Sequence, residues 1–189
     1  MSILRKPGSD KTFPLMVIYG PAGMGKTSLA LQAPNPLVFD LDDGVSEIAS
    51  DFKVASIPKA FFSTWEHLIT ITEAAIKSKK TKKAVHIEVG DVNEDFDFNP
   101  YNSIVLDTLN RIEELCKIHI LKENNAETLL DGKLAYGKGF DVLAETMRGY
   151  FELLVEARRY FTVIAPCHSR RAKQKNVDGT DWDIEDLKL

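Results

Sequence analysis

GPAGMGKTS, residues 20–28, decides the fold of this chain. It satisfies G-x-x-x-x-G-K-[ST] in full, from Gly20, Pro21, Ala22, Gly23, Met24 and Gly25 to Lys26, Thr27 and Ser28. The spacing has a physical basis. The glycines let the backbone turn tightly, so that successive N–H groups converge on an anion. A helix starting near Lys26 would add the positive end of its dipole. Lys26 is then placed to reach the β- and γ-phosphates of a nucleoside triphosphate, and the Thr27 hydroxyl to coordinate Mg²⁺. The expected ligands are ATP and Mg²⁺.

The flanks supply the context that such a loop requires. PLMVIY, residues 14–19, is a short apolar run suited to a buried strand, and KTSLALQA after the loop reads as a helix. Pro34 and Pro36 stop that helix before a second apolar run, LVFDL at 37–41. Further on, a short strand is expected at 54–57 and a helix at 63–76, capped by Ser63 or Thr64. A lysine cluster at 77–83 reads as a solvated helix end. Residues 84–100 suggest a strand or hairpin with an acidic turn. SIVLD at 103–107 is a buried strand, helices follow at about 108–122 and 140–159, and FTVIA at 161–165 is the last clear strand. Strands alternating with helices call for a mainly parallel sheet covered on both faces, an α/β fold. The expected division is a polar lead-in over 1–13 and a single domain over 14–189.

Bulk properties narrow the class. The 189 residues suffice for one sizeable core, and 44% apolar with 28% charged residues is ordinary for a globular domain. The net charge of −4 neither requires nor excludes nucleic acid. Cys116 and Cys167 show no zinc or disulfide spacing, which fits a reducing compartment. No signal peptide is recognisable and no apolar run approaches the ~18–20 residues that span a bilayer. The expectation is a cytoplasmic protein without a membrane partner.

Three further positions bear on chemistry. A nucleotide-bound Mg²⁺ needs an acidic residue at the end of a neighbouring buried strand. Asp107 is favoured, because Thr108 and a helix follow it, while Asp40 ends a competing run. DLDDG, residues 40–44, and His168, just past the last strand, form a second pair of candidates. An acidic turn and an ordinary surface histidine are the alternatives for these two. Finally, Arg170, Arg171, Lys173 and Lys175 form a basic stretch with no acid among them, suited either to a phosphate backbone or to an arginine lid over ATP.

DLDDG resembles the Asp-x-Glu element of RecA-like recombinases, where the glutamate activates the attacking water. On that resemblance Asp42 takes the catalytic position, one methylene shorter, with Asp43 as the alternative acid. His168 resembles the residue that senses the γ-phosphate and signals to a DNA-contacting loop. Together GPAGMGKTS, LVFDLDDG, SIVLDTL, the AYGKG segment and VIAPCHSRR resemble short phage-encoded RecA-like ATP-binding proteins, including the Sak-type single-strand annealing proteins. The resemblance spans most of residues 14–175. It implies a RecA-like P-loop NTPase core, with Lys26, Asp42 and His168 as the catalytic group. It also implies a DNA-dependent ATPase that takes part in phage recombination or replication in a bacterial host. The implied partners are single-stranded DNA, bound through Arg170, Arg171, Lys173 and Lys175, further copies of the chain, and phage replication or recombination proteins. The chain ends at Leu189, so strands that usually follow the basic stretch in RecA cores are expected to be missing or very short. Two other readings stay open: a phosphotransferase acting on a small acceptor, and an ATP-gated interaction module with negligible hydrolysis.

Overall fold

Strands covered on both faces read as continuous apolar runs. The runs above assemble into one sheet, but residues 15–20, expected as a buried strand, form its edge, with Met16, Val17 and Tyr19 exposed. In a computed structural model that describes residues 12–45, 48, 51–90, 92–175 and 181–187, five strands form a parallel sheet. They are β1 (Leu15–Gly20), β2 (Pro36–Asp40), β3 (Ala55–Ile57), β6 (Ser103–Asp107) and β7 (Thr162–Lys175), in the order β1-β7-β6-β2-β3. Among the described residues, helices α1 (Lys26–Ala30), α2 (Trp65–Thr81), α3 (Leu109–Asn124) and α4 (Lys138–Ala157) connect or cover them. Val85–Val89 (β4) and Val92–Phe96 (β5) pair as a separate antiparallel hairpin.

Strand periodicity sorts the core into two layers. Leu37, Phe39, Ile104, Leu106, Val163 and Ala165 point to the face covered by α2, α3 and α4, where Phe62, Leu68, Ile112 and Leu154 complete the main core. Val38, Val105 and Ile164 lie in register on the opposite face and pack with Ala30 and Leu31. Period two then puts Asp40 and Asp107, two residues beyond Val38 and Val105, on this second face with α1.

Several expected elements change in extent. α1 stops at Ala30, well short of the full KTSLALQA stretch, so its dipole contributes less than a long helix would. Helix α2 runs to Thr81 and takes most of the lysine cluster into its last turns, with Thr64 as its cap accepting from the His67 amide. Lys79 is not simply solvated: its ammonium donates to the Asn99 carbonyl and lies over the Phe161 ring.

The largest correction concerns the C-terminal region. The polar stretch expected as a basic loop is the second half of β7, and a further strand, β8 (Asp181–Leu187), pairs with it antiparallel. A strand of seven residues therefore follows the basic stretch. Residues 1–11, most of the expected lead-in, lie outside the described residues. Phe13 is tied to the domain, its amide donating to the Arg158 carbonyl and its own carbonyl accepting from the Arg158 guanidinium. No helix among the described residues is long and apolar enough to cross a membrane.

Candidate functional site

Ligands of open α/β sheets lie beyond the carboxyl ends of the strands, and the predicted residues gather there. The loop after β1 turns through Gly23 (φ 78°) and Gly25 (φ 77°), conformations that L side chains rarely adopt. A Cβ at either position would meet nothing within 4 Å, so the backbone conformation, not crowding, selects glycine here. Gly25 precedes α1 without any side-chain cap, leaving the first amides of the helix facing the loop.

Lys26 is 92% buried by its surroundings, being only 8% exposed. Its ammonium donates to the carbonyls of Gly20 (2.9 Å) and Pro21 (2.7 Å) and stands 3.3 Å from His168 Nδ1. Since an ammonium only donates, Nδ1 is the accepting nitrogen. β7 runs beside β1 with Gly20 opposite His168, which explains how residues 142 positions apart meet. The His168 amide donates to Asn110 Oδ1 at 2.7 Å, so the first turn of α3 fixes the middle of this strand.

Thr27 and Asp107 meet as the motif requires. The Thr27 hydroxyl donates to Asp107 Oδ1 at 3.2 Å, with Oδ2 at 3.4 Å. Burial pushes the Asp107 carboxyl up to about 6; the Thr27 hydroxyl and Lys26 pull it down, while the charges of Asp40 and Asp42 raise it further. A raised carboxyl stabilises the fold below its unfolded pKa and loses that contribution as pH rises through the folded value. The nucleotide-free protein is therefore expected to lose stability from this group between about pH 4 and 6 on going up. In a thermal-melt series from pH 4 to 7.5, Asp107→Asn should flatten that part of the wild-type profile. Parallel profiles would contradict the assignment.

Asp42 is exposed, and its Oδ2 accepts from the Thr108 hydroxyl at 2.9 Å. It lines an open cavity of about 370 Å³ with Thr108, Asn110, Arg111, Glu113, Glu114 and His168. Asp43 turns elsewhere: it has φ 59° and lies 3.5 Å from Lys59. Of the two acids, Asp42 shares the cavity with His168.

Thr108 and Asn110 are the contributors that sequence reasoning missed. Thr108 follows Asp107 directly and Asn110 stands three residues after it, so the signal was their place after a strand-ending aspartate. Thr108 also caps α3, its hydroxyl accepting from the Arg111 amide.

The four basic residues stand on the second half of β7. Backbone register sets Arg170 opposite Asp186, Arg171 opposite Glu185, Lys173 opposite Asp183 and Lys175 opposite Asp181.

The residues present fit a Mg²⁺-nucleotide. The loop supplies turned amides and an ammonium for phosphates, and Thr27 and Asp107 are oriented toward each other for a hydrated cation. Among the described residues no group of three or more His, Cys, Asp or Glu side chains could hold a metal unaided.

Comparison with known proteins agrees with this geometry. A family model described as an AAA domain matches residues 12–187, nearly the whole chain. No curated protein matches it.

Proposed function

The chain belongs to the AAA domain family of P-loop ATPases, and on that premise we propose that it is a Mg²⁺-dependent ATPase that answers to single-stranded DNA. The observation that carries the ATPase reading is the convergence of Lys26, Thr27, Asp107, Asp42 and His168 at one end of the sheet. Lys26 and the loop amides bind the phosphates of ATP. Thr27 and Asp107 hold Mg²⁺, which supplies charge neutralisation at the transferring phosphoryl group. Asp42, oriented by Thr108, positions water and takes its proton, a contribution typically worth ~10²–10⁴ in rate. His168 gives up the Lys26 ammonium when that ammonium turns to a γ-phosphate, so the contact reports nucleotide state.

β7 supports the coupling to a partner. It is one continuous strand from His168 to Lys175, so a change at its nucleotide end bears on the β7–β8 hairpin. The family resemblance supports single-stranded DNA as that partner, and a place in phage recombination or replication within the bacterial cytoplasm. The register of the hairpin alters the expected character of binding. Four unopposed cations would lower log affinity with log salt at about −0.7 per phosphate contact. Acids opposite each cation predict a shallower slope.

ATP turnover measured with and without single-stranded DNA, over a salt series, tests the proposal. Stimulation that fades gently with salt is expected. Unstimulated turnover with no salt-sensitive binding removes the DNA partner. ADP formation that depends on a small acceptor supports phosphotransfer instead, and tight nucleotide binding without turnover supports an ATP-gated module.

A further inference from the structure

Asp40 has no role in the site as described so far, yet its placement is unusual. It ends β2 in register with Asp107 on the adjacent β6. Parallel strands in register turn their side chains to the same face, and neighbouring strands stand about 4.8 Å apart. That face belongs to α1, as the packing of Val38 and Val105 on Ala30 and Leu31 establishes. Thr27, on α1, already bonds Asp107 there. The Asp40 carboxylate therefore stands one strand away from Asp107 on the side where the cation would lie.

Asp40 is 3% exposed, and its Oδ1 has no hydrogen-bond partner among the described residues. Backbone amides of Val45, Gly44 and Asp42 approach the carboxylate and fix it where it is. They leave Oδ1 unmatched. A buried acceptor without a partner costs about 1–3 kcal/mol, and more when it carries charge. A nonpolar residue would suit this end of β2 better if the position only filled the core. The unmatched oxygen therefore points to a donor that arrives with a ligand.

We infer that Asp40 is a second metal-side carboxylate, whose Oδ1 accepts a hydrogen bond from a water of the divalent cation held by Thr27 and Asp107. The inference rests on reading this site as a Mg²⁺-nucleotide site. Mg²⁺ dehydrates reluctantly and keeps several waters, which need acceptors of their own. Asp107 and Asp40, on adjacent strands, provide two.

Mn²⁺ as a spin probe tests this directly. Its affinity for the ADP-saturated protein is read from the free-ion signal in wild type, Asp40→Asn, Asp40→Ser and Asp40→Glu. ADP binding is measured separately in EDTA. Loss of a partner in the outer shell of a metal typically costs ~10–100-fold in metal affinity. Asp40→Asn and Asp40→Ser should weaken Mn²⁺ by that factor with ADP affinity in EDTA unchanged, and Asp40→Glu should recover part of the loss. Wild-type Mn²⁺ affinity in folded Asp40→Asn and Asp40→Ser overturns the inference. So does an equal fall in ADP affinity without metal, which would make Asp40 a support for the phosphate loop only. Failure of the wild type itself to bind Mn²⁺ with ADP would overturn the broader nucleotide reading, and is distinguishable from either result.

Discussion

Lys26→Ala is expected to lose ATP affinity by two orders of magnitude or more while keeping its fold. The reason lies in what Lys26 now touches. Its ammonium bonds two carbonyls of its own loop and one imidazole nitrogen, a set of donor contacts that phosphate oxygens can replace. Hydrogen bonds involving a charged partner contribute roughly 1.5–3 kcal/mol each, so losing two costs about 3–6 kcal/mol. At 1.4 kcal/mol per decade, that is about 10²–10⁴ in affinity. Isothermal titration with Mg²⁺-ATP gives the number, and circular dichroism checks the fold. Lys26→Met, which keeps the aliphatic stem, should behave in the same way. A well-folded variant that binds ATP as tightly as wild type would contradict the phosphate-binding role.

Asp42→Asn should separate binding from turnover. The amide oxygen can still accept from Thr108, so the loop keeps its course. The amide cannot take a proton, however, and general-base assistance is worth ~10²–10⁴. A fall in kcat of that size corresponds to about 2.7–5.5 kcal/mol in the barrier, with ATP affinity near wild type. Asp43→Asn serves as the control, because Asp43 is directed to Lys59 and not to the cavity beside His168. If Asp43→Asn lost turnover and Asp42→Asn kept it, the two acids would exchange roles.

The phosphate loop was legible in the sequence because it is local. Nine consecutive residues contain the turn, the ammonium and the hydroxyl, and their spacing encodes the chemistry. The parallel sheet was legible for a related reason, since strands buried on both faces must be apolar throughout. Asp107 could be favoured from the Thr108 and helix that follow it, with Asp40 left as a competitor. Nothing in the sequence states that β2 and β6 are neighbours in register, which is what sets both carboxylates on one face. The same holds for Lys26 with His168 and for His168 with Asn110, contacts made by strand order across long separations.

The β7–β8 hairpin escaped sequence reading because its signal is weak. SRRAKQK has almost no apolar alternation, and a run of charge resembles a loop when read alone. Its strand character comes from pairing with DWDIEDL, whose acids fall opposite its cations. Cross-strand pairs of opposite charge stabilise a sheet where local propensity does not. The basic stretch thus changes meaning: it is one half of a charge-matched hairpin, continuous with the strand that ends the nucleotide site. The short α1 has a local cause as well, since Pro34 and Pro36 lie just beyond it and β2 begins at Pro36.

The central claim is that residues 20–28, with Asp107, form a Mg²⁺-nucleotide site. Titration of ATP onto the wild-type protein, with Mg²⁺ and then with EDTA, tests it most directly. Saturable binding of one ATP per chain, tightened by Mg²⁺ and lost in Lys26→Ala, is the expected result. No saturable binding to the folded protein, or binding that Mg²⁺ and Lys26→Ala leave unchanged, would contradict it.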